Sequence, residues 1–201
     1  PEVNGKGIQL LRNAGIEVLT GALEDEGKNL NRFFFKHVKT KLPYTTVKIA
    51  QTLDGKIAAE KNKQTWITCE ESQKLVHRWR SEYDAVLIGA NTVLIDNPQL
   101  TVRKVKGRNP KRVIIDGNLR ISEKSQVLNT VNPNEILIFT KASSNVNKID
   151  DFRKSGFQII TIPDKNEKIK ITDIVAKIGQ AGINSLLVEG GNQIFSQFIL
   201  S

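Results

Sequence analysis

The feature that most constrains this chain is a series of short apolar runs separated by turns and helical segments. Residues 85–89 read Ala-Val-Leu-Ile-Gly. A run with no polar alternation fits a strand covered on both faces, the kind found in parallel sheets. Residues 112–116, 135–140, 158–162 and 185–189 repeat the theme, and 45–50 supply an earlier strand. Between them, residues 149–155 and 172–180 have helical periodicity. A further helix runs to Tyr83 from a capping box at Thr68 and Glu71, two side chains spaced to satisfy the free N–H groups of a helix start. This alternation predicts an α/β fold, a mostly parallel central sheet flanked by helices.

The segment before Pro43 reads differently. Residues 6–13 form a helix stopped at Ala14-Gly15, residues 16–20 alternate as a strand, and 23–39 are helical. One short strand between two helices cannot cover both of its faces, so this piece is expected to pack on something else. Pro43 pushes its predecessor out of helix, which makes residues 40–44 a junction. Two units follow: residues 1–42, the tail of another domain, and residues 43–201.

Composition narrows the function classes. Apolar content of 39% with 25% charged residues is that of a globular chain. No apolar run approaches the ~18 residues a membrane span needs, and the first residues lack a secretory pattern. Cys69 is the sole cysteine, which excludes an internal disulfide and a multi-cysteine zinc site and fits a cytoplasmic setting. The net charge of +9 raises nucleic-acid binding, but the cations are scattered and no basic stripe is interleaved with aromatics. A few Arg and Lys holding a small phosphorylated ligand is the better use of that charge, most of the remainder being solvated surface.

The glycine fingerprints of the Rossmann and P-loop phosphate sites are missing, as is the signature of zinc deaminases. His37 and His77 fall in helical stretches and read as helix-surface residues. The informative places are strand ends, beyond which α/β sheets bind ligands. Residues 50–56 form a polar turn; Thr92 and Asp96 offer a hydroxyl and a carboxylate; Asp116-Gly117 ends another strand. Glu189-Gly190-Gly191 leads into a helix near Gln193, whose free N–H groups suit a phosphate. Trp66 reads as a core plug by default, with ring stacking as the alternative. Arg80 ends a helix, where it either meets the dipole or faces a ligand, and Arg103 fits a bidentate phosphate grip.

Read in order, these segments resemble a known family. Residues 48–58 (Lys-Ile-Ala-Gln-Thr-Leu-Asp-Gly-Lys-Ile-Ala), Trp66-Ile67-Thr68, residues 84–89 leading into Thr92-Val93, the stretch Asp96-Asn97-Pro98-Gln99-Leu100-Thr101-Val102-Arg103, and Val188-Glu189-Gly190-Gly191 are similar to the reductase domain of the bifunctional deaminase/reductase family of riboflavin biosynthesis. The resemblance implies a dihydrofolate-reductase-like fold, which binds NADPH without the Rossmann fingerprint. It implies hydride transfer from NADPH to the ribosyl C1 of 5-amino-6-(5-phosphoribosylamino)uracil, after ring opening to an imine, giving the ribitylamino product. By matching position, Ala50, Trp66, Thr92, Asp96, Gly117, Gly190 and Gly191 touch NADPH. Lys48, Gln64, Arg80, Leu100, Arg103 and Glu189 touch the phosphorylated pyrimidine. Gln64 stands where the family usually has a small hydroxyl residue, and Cys69 where Gly or Ser is common. The resemblance also implies a homodimer, a deaminase remnant over residues 1–42, and a reductase domain that continues beyond residue 201. The competing reading is a non-catalytic or regulatory nucleotide-binding domain of the same fold.

Overall fold

The computed structural model describes residues 4–60, 63, 65–164 and 169–200. Strands β1 (Tyr44–Val47), β2 (Ala85–Gly89), β3 (Lys111–Ile115), β4 (Ile136–Lys141), β5 (Gln158–Ile162) and β6 (Ser185–Val188) form one sheet in the order β1-β6-β2-β3-β4-β5. Every pairing is parallel, including the central register of Val86 with Leu187 and Arg112. Parallel neighbours need crossover connections, and helices supply them. The crossover helices are α4 (Glu70–Glu82), α5 (Ala90–Asp96), α6 (Gln126–Asn129), α7 (Val146–Lys154) and α8 (Ile171–Gln180); α1 (Lys6–Asn13), α2 (Glu24–Leu30) and α3 (Arg32–Thr40) precede β1, and α9 (Asn192–Ile199) follows β6.

Alternate strand residues point to opposite faces of the sheet. On one face Val86, Ile88, Ile114 and Ile138 pack with Val93, Leu128, Ile149 and Phe152. On the other, Leu87, Val113, Leu137 and Phe139 pack with Ile174, Ile178, Ile194 and Phe195. Both faces are covered, and all of β2 is buried, as its unbroken apolar run predicts.

Several sequence expectations are corrected. Residues 16–20 form no strand: Leu19 is largely exposed and no neighbouring strand offers a ladder. The helix expected over 23–39 is two helices meeting at Asn31. The cap of α4 is Cys69, not Thr68, and the Cys69 side chain makes no capping hydrogen bond. The first strand stops at Val47, because beyond it the chain keeps only the Lys48 N–H bond to the Val188 carbonyl before turning away. Helix α5, which the sequence reading did not assign, follows β2 directly; Ala90 and Val93, three residues apart, are its buried stripe.

Helices α1, α2 and α3 bury no residue. They meet the sheet through Phe33, whose ring lies 5.2 Å from Tyr44 and 4.8 Å from Tyr83. The junction after α3 passes so close to α8 that a Cβ on Gly179 would lie 2.1 Å from the Lys41 carbonyl oxygen.

Candidate active site

A cavity of about 750 Å³ opens beyond the carboxyl ends of β1, β6 and β2. Parallel strands all end on the same side, so the segments after them converge there. The end of β1 brings Lys48 and Ala50, the start of α5 brings Thr92, and its end brings Asp96. The segment after β6 brings Glu189 and Gly191, and α4 contributes His77 and Arg80. Leu100 and Arg103 close the wall from the loop after α5, and Trp66 lies at the edge.

Arg80 and Glu189 meet in a bidentate pair. The Arg80 Nε–H donates to Glu189 Oε1 at 2.6 Å and Nη2 donates to Oε2 at 2.8 Å. Both side chains are largely withdrawn from solvent, at 12% and 5% exposure, so each charge depends on the other. Arg80 Nη1 also donates to the Thr101 carbonyl at 3.4 Å, tying α4 to the loop that carries Leu100 and Arg103. Among the described residues, Lys48 and Arg103 line the cavity and form no ion pair. The Arg103 side chain is exposed and donates only to Thr101 Oγ1, at 3.3 Å.

The reading of His77 as a surface residue is corrected. It is buried, at 4% exposure, and its Nδ1 accepts the Arg103 backbone N–H at 3.1 Å. Burial, then the cations Arg80, Arg103 and Lys104, push its pKa down from 6.5 to about 4, Glu189 opposing them. The reading of Trp66 as a core plug is corrected too: it is 67% exposed beside the cavity. Burial raises the carboxyl pKa of Asp96, which has no hydrogen-bond partner among the described residues.

The glycines divide. Gly191 has φ +38°, starts α9 and faces Thr92, whose Oγ1 would lie 3.4 Å from an added Cβ. Gly190 lies against the sheet instead, where a Cβ would sit 2.6 Å from the Ile88 Cα and 2.7 Å from the Gly89 nitrogen. Gly117 is outside this cavity, at the end of β3, where its carbonyl accepts the Ser144 hydroxyl at 2.8 Å. Gln64 lies outside the described residues. The sequence reading missed His77, although its spacing of three from Arg80 puts both on one face of α4.

Residues 43–201 match the family model described as the RibD C-terminal domain. The chain belongs to that family. It is 40% identical to a riboflavin biosynthesis protein RibD of Aquifex aeolicus over 200 residues, 99% of this chain and 54% of the relative. The chain thus spans about half the length of the curated relatives it matches. Among solved structures it is similar to Acinetobacter baumannii RibD, with a TM-score of 0.84, 30% identity, and 98% and 53% of the two chains covered. It is also similar to a Thermotoga maritima diaminohydroxyphosphoribosylaminopyrimidine deaminase/5-amino-6-(5-phosphoribosylamino)uracil reductase, with a TM-score of 0.81, 38% identity, and 98% and 53% covered. The RibD C-terminal domain fold is dihydrofolate-reductase-like, and the expected central sheet is wholly parallel among the described residues.

Proposed function

We propose that this chain reduces the ribosyl C1 of 5-amino-6-(5-phosphoribosylamino)uracil at this cavity, with NADPH as the reductant. The observation that carries the reading is the unpaired cations Lys48 and Arg103 beside the Arg80–Glu189 pair, in a member of the RibD C-terminal domain family. Lys48 and Arg103 would take the substrate's phosphate, for which a guanidinium fork is well shaped. Arg80, held by Glu189, would present a fixed edge to the ribose or pyrimidine, and Leu100 would wall the ring.

Ala50, Trp66, Thr92, Asp96 and Gly191 would hold the cofactor. The fit is favourable: Gly191 keeps the start of α9 bare beside the Thr92 hydroxyl, and the Trp66 ring is free to stack. Gly190 would set that turn's approach to β2, and Gly117 would meet a part of the cofactor reaching past the cavity. Bound NADPH supplies the hydride; the protein's share is to orient the two ligands and exclude water between them. We assign residues 43–201 to the reductase domain and 1–42 to the end of a preceding deaminase domain, since α1–α3 bury nothing and lie before the family match. A cytoplasmic homodimer is the assembly this family resemblance favours.

The test is a titration of NADPH and NADH followed by tryptophan quenching, with NADPH oxidation measured in the presence of the pyrimidine. NADPH should bind more tightly, because its 2′-phosphate adds charge for a cation to meet. Equal affinities would remove the cofactor assignment. Arg103→Ala should raise the KM for the pyrimidine roughly tenfold to a hundredfold while leaving NADPH affinity unchanged.

A further inference from the structure

The loop of residues 97–103 is unusual in its backbone. Asn97 and Leu100 sit in the left-handed region at φ 39° and φ 54° without being glycine. Such conformations persist where the surroundings over-determine them. Here they do. The Gln126 N–H donates to Asn97 Oδ1 at 2.8 Å, and the Thr130 hydroxyl donates to the Gln99 carbonyl at 3.1 Å. Buried Arg112 reaches the same carbonyl at 3.5 Å. The Val102 N–H donates to Asn109 Oδ1 at 2.7 Å, and Arg80 meets the Thr101 carbonyl.

The last tie is the one that matters for the ligand. At Arg103 itself, the backbone N–H donates to His77 Nδ1. Because the Arg103 side chain hydrogen-bonds only within its own loop among the described residues, to Thr101, its direction follows from where its backbone is fixed. We infer that His77 is a positioning residue: its imidazole fixes the Arg103 main chain and so aims the guanidinium into the cavity. This rests on the proposal that Arg103 grips the substrate phosphate.

The chemistry of the contact selects one form of the ring. A backbone N–H facing Nδ1 needs a lone pair there, so the ring is neutral and carries its proton on Nε2. An imidazolium would turn one N–H against another and break the tie. The groups facing the ring are Arg80 on its own helix, Arg103 and Lys104 on the loop, and Glu189 at the end of β6; the three cations disfavour a further positive charge. A neutral ring anchors the arginine without adding charge to the cavity.

The experiment compares His77→Asn, whose Oδ1 replaces Nδ1 as acceptor, with His77→Leu, which has none. For each, the KM and kcat for the pyrimidine, the Kd of NADPH and the melting temperature are measured. His77→Leu should raise KM about tenfold with kcat and NADPH affinity within about twofold, and His77→Asn should recover most of that loss. Equal impairment of both variants, or an unchanged KM in a folded His77→Leu, would overturn the inference. Nitrogen-15 NMR of the histidine rings in the unaltered chain gives an independent check, expecting a protonated Nε2 and a bare Nδ1; the opposite tautomer overturns it. If the unaltered chain turns over no pyrimidine, the proposed reaction fails. The inference is then decided by the tautomer and by binding of ribose 5-phosphate to the two variants, weakened by Leu and kept by Asn.

Discussion

Leu87 in β2 and Leu30 in α2 are the same residue type at opposite extremes, one wholly buried and the other 82% exposed. The difference is not local. Strand β2 lies between β6 and β3, with helices over both faces, so each of its side chains has a second surface to meet. The segment before Pro43 has apolar residues too, Leu10, Leu19, Leu23 and Leu30 among them, but these stay largely exposed among the described residues. Apolar area stabilises only when it leaves water, so the same leucine is worth much in one place and almost nothing in the other.

The contrast is testable in order of size. Leu87→Ala should destabilise the chain most, by about 2–5 kcal/mol, since it removes contacts and leaves a void between close-packed layers. Chemical denaturation measures this, and a loss like that of a surface change would mean the sheet is not the cooperative unit.

Glu189→Gln comes next. It leaves the nearly buried Arg80 guanidinium without its counter-charge, so a loss of roughly 1.5–3 kcal/mol is expected together with poorer turnover. An unchanged melting temperature with lost turnover would make the carboxylate a ligand contact and nothing more.

Of similar size is a pH effect from His77. Its folded pKa is lowered from 6.5 to about 4, so between those values the unfolded chain binds the extra proton. The ring's contribution to stability is present above pH 6.5 and is lost as pH falls through 6.5 toward 4. Melting temperatures across that window should fall with acidity in the unaltered chain and fall less in His77→Asn.

The smallest effect belongs to the other region. Leu30→Ser should change stability by less than about 0.5 kcal/mol, because an exposed side chain has no packing to lose. A larger loss would show that the helices before Pro43 are covered in solution.

The two regions also differ in how far the sequence could be read. For β2, the run Ala-Val-Leu-Ile-Gly carried strand, burial and sheet type together. For residues 16–20, a period-two alternation pointed to a strand that does not exist, because a ladder needs a neighbour and periodicity cannot report whether one is there. At the site, Lys48, Arg80, Leu100, Arg103 and Glu189 were singled out, and they line one cavity. What escaped was their relation. Arg80 and Glu189 were read as separate ligand contacts, 109 positions apart in sequence, and they bind each other. His77 was read as solvent-facing because a helical pattern does not show which loop will fold over it.

The sequence by itself determined the strand–helix alternation, the doubly covered strands and the chemical types gathered at the strand ends. These follow from periodicity and local backbone preference, which act over a few residues. The tertiary structure alone decided the sheet order, the Arg80–Glu189 pair, the neutral ring holding Arg103 and the exposure of α1–α3. Each of these depends on which distant surfaces meet, and the energy of a buried charge or leucine is set by what it meets rather than by its neighbours in the chain.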